Sequence, residues 1–218
     1  MSRFLLAASS LAIGLACAAQ AQDATETTQA VNDALRQYLP FDDESDFENA
    51  MRGQIATLDA DQITAPDGTV IYDIAQFDFL KGDAPATANP SLWRQSKLNA
   101  IHGLFEVVEG GIYQIRGFDL AVMSFIRGDT GWIIVDPLTA NETAAAGLKL
   151  LRDNVEDLPV TGVIFTHSHV DHFGGVKGIT TPEEIEANGI PIVAPEGFFE
   201  EAVSENLIAG NTMSRRAS

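Results

Sequence analysis

The sequence predicts a layered α/β fold, on three observations. Four short runs rich in β-branched and aromatic residues follow one another between Leu104 and Val135, separated by turn formers, which is the pattern of a β-meander. After Pro137 the apolar spacing switches to a helical period and then back to strands, as in strand–helix–strand layers. Val163-Ile164-Phe165 is an unbroken apolar run, as expected of a strand buried on both faces. With 45% hydrophobic and 20% charged residues among 218, the chain has the balance of a globular protein, and disorder is excluded as its default state.

The elements follow in chain order. Met1-Ser2-Arg3 is a short positive start, Phe4 to Ala18 an apolar run and Ala19-Gln20-Ala21 a small-residue cleavage site, so residues 1–21 read as a secretory signal peptide cut after Ala21. The apolar run falls short of the roughly 20 residues that span a bilayer, which argues against a stable membrane anchor. Export to the periplasm or beyond is therefore expected. A lipoprotein signal at Cys17 is the alternative, and Gly14 stands against it where a large aliphatic residue is wanted.

Residues 22–100 read as a helical and hairpin segment. Thr28 to Leu39 has apolar residues on one face, Thr28 as a candidate N-cap and Pro40 as a stop. An acidic helical stretch covers Phe47 to Met51, and Asp67-Gly68 joins Gln62 to Ala65 and Val70 to Ile74 as a hairpin. Asn89 and Pro90 open a helix that runs to about Ile101. Residues 101–218 read as the first half of a larger domain. Its strands are Leu104 to Val108, Ile112 to Arg116, Leu120 to Arg127 and Trp132 to Val135. A helix with the capping box Thr139-Ala-Asn-Glu142 then runs to about Asn154, followed by a strand from Gly162 to Thr166. A strand from Ile190 to Ala194 and a helix from Pro195 to about Leu207 complete the order.

The chemistry gathers at the end of the apolar strand, in Thr166-His167-Ser168-His169-Val170-Asp171-His172. Three of the 4 histidines lie in this one stretch, where open α/β sheets collect their ligands. The only cysteine is Cys17, which departs with the signal peptide, so a metal here is held by imidazole and carboxylate. Alternation divides the donors: His167 and His169 towards one ion, Asp171 and His172 towards a second, with a water shared between the two. Asp171 has a general-base role as its alternative. Gly174-Gly175 leaves room for backbone to approach the ions. The net charge of −18 disfavours nucleic acid as a partner and chiefly confers solubility.

His167-x-His169-x-Asp171-His172 after a hydrophobic strand resembles the metallo-β-lactamase superfamily, and Ile133-Ile134-Val135-Asp136-Pro137 resembles that family's first motif. The stretches Asn89-Pro-Ser-Leu-Trp-Arg-Gln, Ile101-His-Gly-Leu-Phe, Gly111-Ile-Tyr-Gln-Ile-Arg-Gly-Phe-Asp-Leu and Phe173-Gly-Gly-Val-Lys-Gly are similar to the secreted linear alkyl sulfatases within it, over a region from about Asp67 to the end. The resemblance implies the N-terminal, incomplete part of an αββα sandwich. It also implies hydrolysis of long-chain alkyl sulfate esters such as dodecyl sulfate, two Zn²⁺ ions, a homodimer, and an Asp136 that sits behind the metal ligands and orients an imidazole. The bland alternative for Asp136 is a strand-ending turn residue.

The chain departs from the family at Val122, where an asparagine is expected, and has no histidine after His172, although the family's further ligands are two acidic residues and a histidine well downstream. Glu183, Glu184, Glu186, Glu196, Glu200, Glu201 and Glu205 are expected on solvated helix faces. A truncated sequence, inactive by itself, is therefore expected. Other hydrolases of the same fold (β-lactamase, lactonase, thioesterase) and a non-catalytic metal-binding fragment are the alternatives. His102 is expected to cap a helix end. Arg116 is expected to pair with Asp119 or another carboxylate, with sulfate binding the alternative.

Overall fold

The computed structural model describes residues 23–210 and 212. The expected signal peptide lies outside the described residues, as do Arg215 and Arg216. Helix α1 (Glu26–Tyr38) starts a turn earlier than the sequence suggested, because Thr25 rather than Thr28 is its N-cap and accepts from the Thr28 N–H. Helix α2 (Ser45–Met51) leads to strand β1 (Gln54–Ala56), three residues too short and too mixed in polarity to show in the sequence. The hairpin forms as expected from β2 (Gln62–Thr64) and β3 (Val70–Asp73). In α3 (Pro90–Asn99) the Asn89 side chain accepts from the N–H groups of Ser91 and Leu92.

The meander β4 (Gly103–Val108), β5 (Ile112–Arg116), β6 (Met123–Arg127) and β7 (Trp132–Val135) is antiparallel throughout. Helix α4 (Asn141–Asn154) then returns the chain to β8 (Val160–Ile164), which lies parallel to β7. Helix α5 (Pro182–Asn188) precedes β9 (Ile192–Val193), parallel to β8. The strand order is β1-β4-β5-β6-β7-β8-β9, so one sheet has an antiparallel part and a parallel part. Strand β1 joins this sheet through β4, and α4 packs against β1 to β4; the segment before residue 101 is thus built into the same core.

Period-two alternation sends Trp132 and Ile134 of β7, Met123 and Phe125 of β6, and Tyr113 and Ile115 of β5 into one buried cluster with Ala144, Leu148 and Leu151 of α4. The Trp132 ring meets Tyr113 edge-on at 5.7 Å between centroids and Phe125 at 6.4 Å. Burial of each Ile, Leu, Met or Phe side chain among them contributes about 1.5–3 kcal/mol.

Three boundaries differ from the sequence expectation for one kind of reason, a side-chain carboxylate taking backbone N–H groups. Strand β6 begins at Met123 rather than Leu120 because Asp119 binds the Leu120 N–H and holds residues 118–122 as a loop. The expected capping box at Thr139 is absent: its N–H and hydroxyl both donate to Asp119, and α4 starts after Ala140 with no side-chain cap. Strand β8 stops at Ile164 because the Thr166 N–H goes to Asp136. Farther on, the helix expected from Pro195 to Leu207 is a short α6 (Phe198–Val203) followed by a π-helical turn at Ser204–Ile208.

The loop after β8 lies directly on the loop after β7. A Cβ on Gly175 would collide with the carbonyl oxygens of Pro137 and Ala140 and with the Ala144 methyl, so only glycine fits. Gly175→Ala should therefore lose about 1–3 kcal/mol in urea unfolding. Gly82→Ala, with no atom within 4 Å of the added methyl, should stay within about 0.5 kcal/mol.

Candidate functional site

Strands β7 and β8 run side by side in parallel, so Asp136 and the Thr166–His172 segment leave the sheet at adjacent carboxyl ends. Asp136 has φ 55 and Leu138 φ 61, left-handed backbone that costs a non-glycine residue about 1–3 kcal/mol unless its surroundings fix it. Asp119 supplies that fixing: it accepts from Thr139 N–H at 3.0 Å, Thr139 Oγ1 at 2.7 Å and Thr143 Oγ1 at 2.8 Å. The bent loop turns the Asp136 carboxylate, 6% exposed as a residue, under the histidine cluster.

There it accepts three hydrogen bonds. Thr166 N–H donates to Oδ1 at 2.8 Å, Thr166 Oγ1 donates to Oδ2 at 2.6 Å, and His172 Nδ1 donates to Oδ2 at 2.8 Å. The turn-residue reading of Asp136 thus gives only part of its role. It ends the strand and also holds an imidazole by one nitrogen, leaving His172 Nε2 for another partner. Thr166 Oγ1 also lies 3.0 Å from His167 Nδ1.

Residues Val170–His172 form a single tight turn that sets Asp171 beside His172, with Asp171 Oδ2 3.3 Å from His172 Nε2. Two ligands on a tetrahedral ion with bonds of about 2.0–2.1 Å stand about 3.3 Å apart, so this pair has the spacing of two corners of one coordination shell. The His167 ring centroid lies 4.0 Å from that of His172 and 4.6 Å from that of His169. The structure thus brings together His167, His169, Asp171, His172 and Asp136. Among the described residues no group of three or more His, Cys, Asp or Glu side chains is arranged to hold a metal ion as it stands. The donor types and the Asp171–His172 spacing fit zinc pairwise, and the full cage is not formed by these residues alone.

Other residues depart from expectation. Gly174 and Gly175 serve contact between the two loops, since a Cβ on either meets backbone oxygens of residues 137–140. Glu205, expected on a solvated face, has a side chain only 22% exposed and lies 3.2 Å from His169 Nε2. Phe198 stacks on Phe165 and meets Phe173 edge-on, which fixes α6 over the cluster, and the π-helical turn follows. π-Turns of this kind re-aim side chains, which a regular helical wheel does not register. Among the described residues Arg116 pairs with no carboxylate: it binds Gln114 Oε1 and stacks on Phe105 at 4.4 Å. His102 Nδ1 lies 3.1 Å from Ala100 O at the end of α3, a capping contact remote in sequence from the cluster.

Comparison with known proteins follows the same lines. Residues 116–201 match the metallo-beta-lactamase superfamily, a span that contains Asp136 and the whole histidine cluster. The chain is 50% identical over 218 residues to a linear primary-alkylsulfatase from a Pseudomonas species, covering 99% of this chain and 32% of that protein. It is 46% identical to an alkyl/aryl-sulfatase of Saccharomyces cerevisiae, over 90% of this chain and 30% of that one. The solved structure of a stereoselective inverting sec-alkylsulfatase from Pseudomonas superposes with a TM-score of 0.83 at 44% identity, over 90% of this chain and 31% of the other. The chain spans about a third of the length of each of these relatives.

The buried carboxylate makes a first test. Asp136→Ala leaves the Thr166 and His172 donors unpaired and should cost about 1–3 kcal/mol in chemical unfolding. Asp136→Asn keeps an acceptor and tolerates the left-handed backbone, so it should lose less.

Proposed function

We propose that this homologue of the alkylsulfatases, with its metallo-β-lactamase superfamily segment at residues 116–201, is the site-bearing part of a zinc-dependent hydrolase of linear alkyl sulfate esters. The products are an alcohol and inorganic sulfate. The observation that carries this reading is the Asp171–His172 pair at 3.3 Å with its Asp136 support, in a chain 50% identical to a linear primary-alkylsulfatase.

In this reading His167 and His169 hold one ion, and Asp171 with His172 holds the second. Bound there, two Zn²⁺ ions would supply Lewis-acid polarisation of the ester and a water acidic enough to act as nucleophile near neutral pH. Asp136 keeps the His172 ring from rotating, which fixes where its free nitrogen points. A base role for Asp171 is the alternative to ligation. With a net charge of −18, the chain draws a sulfate ester in through local positive charge, against the field of the whole surface. Residues 1–21 support export to the periplasm or beyond with cleavage after Ala21, and the assembled protein is read as a homodimer.

A second reading is a metal-binding chain without catalysis, which the Asp171–His172 pair at 3.3 Å would serve equally well. Sulfate release from dodecyl sulfate separates the two. It should be measured with added Zn²⁺ and after chelation, on the 218-residue chain and on a form extended to the natural stop codon. We expect zinc-dependent release from the extended form, lost on chelation and reduced at least 100-fold by His172→Ala. No release from the extended form contradicts the sulfatase reading, and metal uptake without release supports the second one.

A further inference from the structure

We propose that Thr166 is a positioning residue whose hydroxyl fixes the tautomer of His167, so that one buried carboxylate, Asp136, sets the free nitrogen of two imidazoles at once. A proton count around the hydroxyl carries the inference. Thr166 Oγ1 lies 2.6 Å from Asp136 Oδ2 and 3.0 Å from His167 Nδ1. A hydroxyl has one proton to give, and an ionised carboxylate can only accept. The short contact to Asp136 therefore uses the Thr166 proton, and towards His167 the oxygen has only lone pairs to offer. His167 Nδ1 must carry the hydrogen, which leaves Nε2 bare.

The same count at His172 is direct. Its Nδ1 faces Asp136 Oδ2 at 2.8 Å, while Asp171 Oδ2 stands farther off, 3.3 Å from Nε2, so in the neutral ring Nδ1 carries the single hydrogen and Nε2 is bare there too. Asp136 thus reaches His172 in one step and His167 in two, through Thr166. The Thr166 N–H, bound to Asp136 Oδ1 at 2.8 Å, fixes the backbone from which the hydroxyl reaches the same carboxylate. Tautomers are assigned by their hydrogen-bond partners, and here the partners leave a single assignment. The two rings lie 4.0 Å apart between centroids, so both bare nitrogens belong to one cluster.

The use of those nitrogens for a metal rests on the function proposed above, while the tautomer itself does not. The test separates them. Long-range ¹H–¹⁵N correlation of the imidazole rings, without metal and at a pH where the rings are neutral, is recorded for the parent chain, Thr166→Val and Thr166→Ser. Co²⁺ titration followed by visible absorption is run on the same three. We expect His167 to show its hydrogen on Nδ1 in the parent and in Thr166→Ser, and a mixture or the other tautomer in Thr166→Val. Co²⁺ affinity should fall about tenfold in Thr166→Val and recover in Thr166→Ser. Thr166→Ala, which puts no methyl against the carboxylate, gives the same readout if the valine variant does not fold.

An unchanged His167 tautomer in the variant lacking the hydroxyl overturns the proposal, whatever the titration gives. A tautomer that changes as expected in Thr166→Val, together with a parent chain that binds no Co²⁺, upholds the role of Thr166 and overturns the metal reading instead.

Discussion

The Asp136 carboxylate, buried where β7 ends, is the point on which the rest of this site depends. Three donors converge on its two oxygens, and two of them come from Thr166, the residue that opens the histidine segment. Its hydrogen bonds tie the end of β8 to the end of β7 and decide where the β8 ladder stops. They also decide which way the His172 ring faces. A buried carboxylate without such donors would carry a penalty of several kcal/mol, so the network and the buried position require each other.

Holding that carboxylate in place takes backbone that is unfavourable by itself. Asp136 and Leu138 both sit at positive φ, and neither is glycine. The cost is offset nearby. Asp119 collects the Thr139 and Thr143 donors, Leu138 is fully buried, and the glycines of the following loop let its backbone lie against residues 137–141. Strain of this kind, over-determined by its surroundings, is what a site that must keep its donors in register requires. The core of β5, β6, β7 and α4 supplies the rigid base beneath it.

Much of this was legible in the sequence. Strong local signals gave the meander, the hairpin at Asp67-Gly68, the Asn89-Pro90 helix start and the histidine segment, because each rests on neighbours in the chain. Asp136 was visible as an aspartate at a strand end. Its three partners lie 30 and 36 residues away in sequence, and no local pattern reports them. Thr139 shows the opposite failure. It has the spacing of a capping box with Glu142, but Asp119, 20 residues upstream, takes its donors first. Glu205 looked like one more acidic residue on a helix surface, and only the packing of Phe198 on Phe165, followed by the π-turn, turns it towards His169. Tertiary competition for hydrogen bonds, rather than weak propensity, accounts for these misses.

The metal reading rests most narrowly on the 3.3 Å spacing of Asp171 Oδ2 and His172 Nε2, with the other His172 nitrogen held by Asp136. Zinc-edge anomalous diffraction from crystals of the chain grown with Zn²⁺ tests it directly. The account predicts a strong peak about 2.0–2.2 Å from both of those atoms, with His172 Nδ1 still on Asp136. Zinc peaks found only elsewhere on the surface, or His172 rotated away from Asp136, would contradict it.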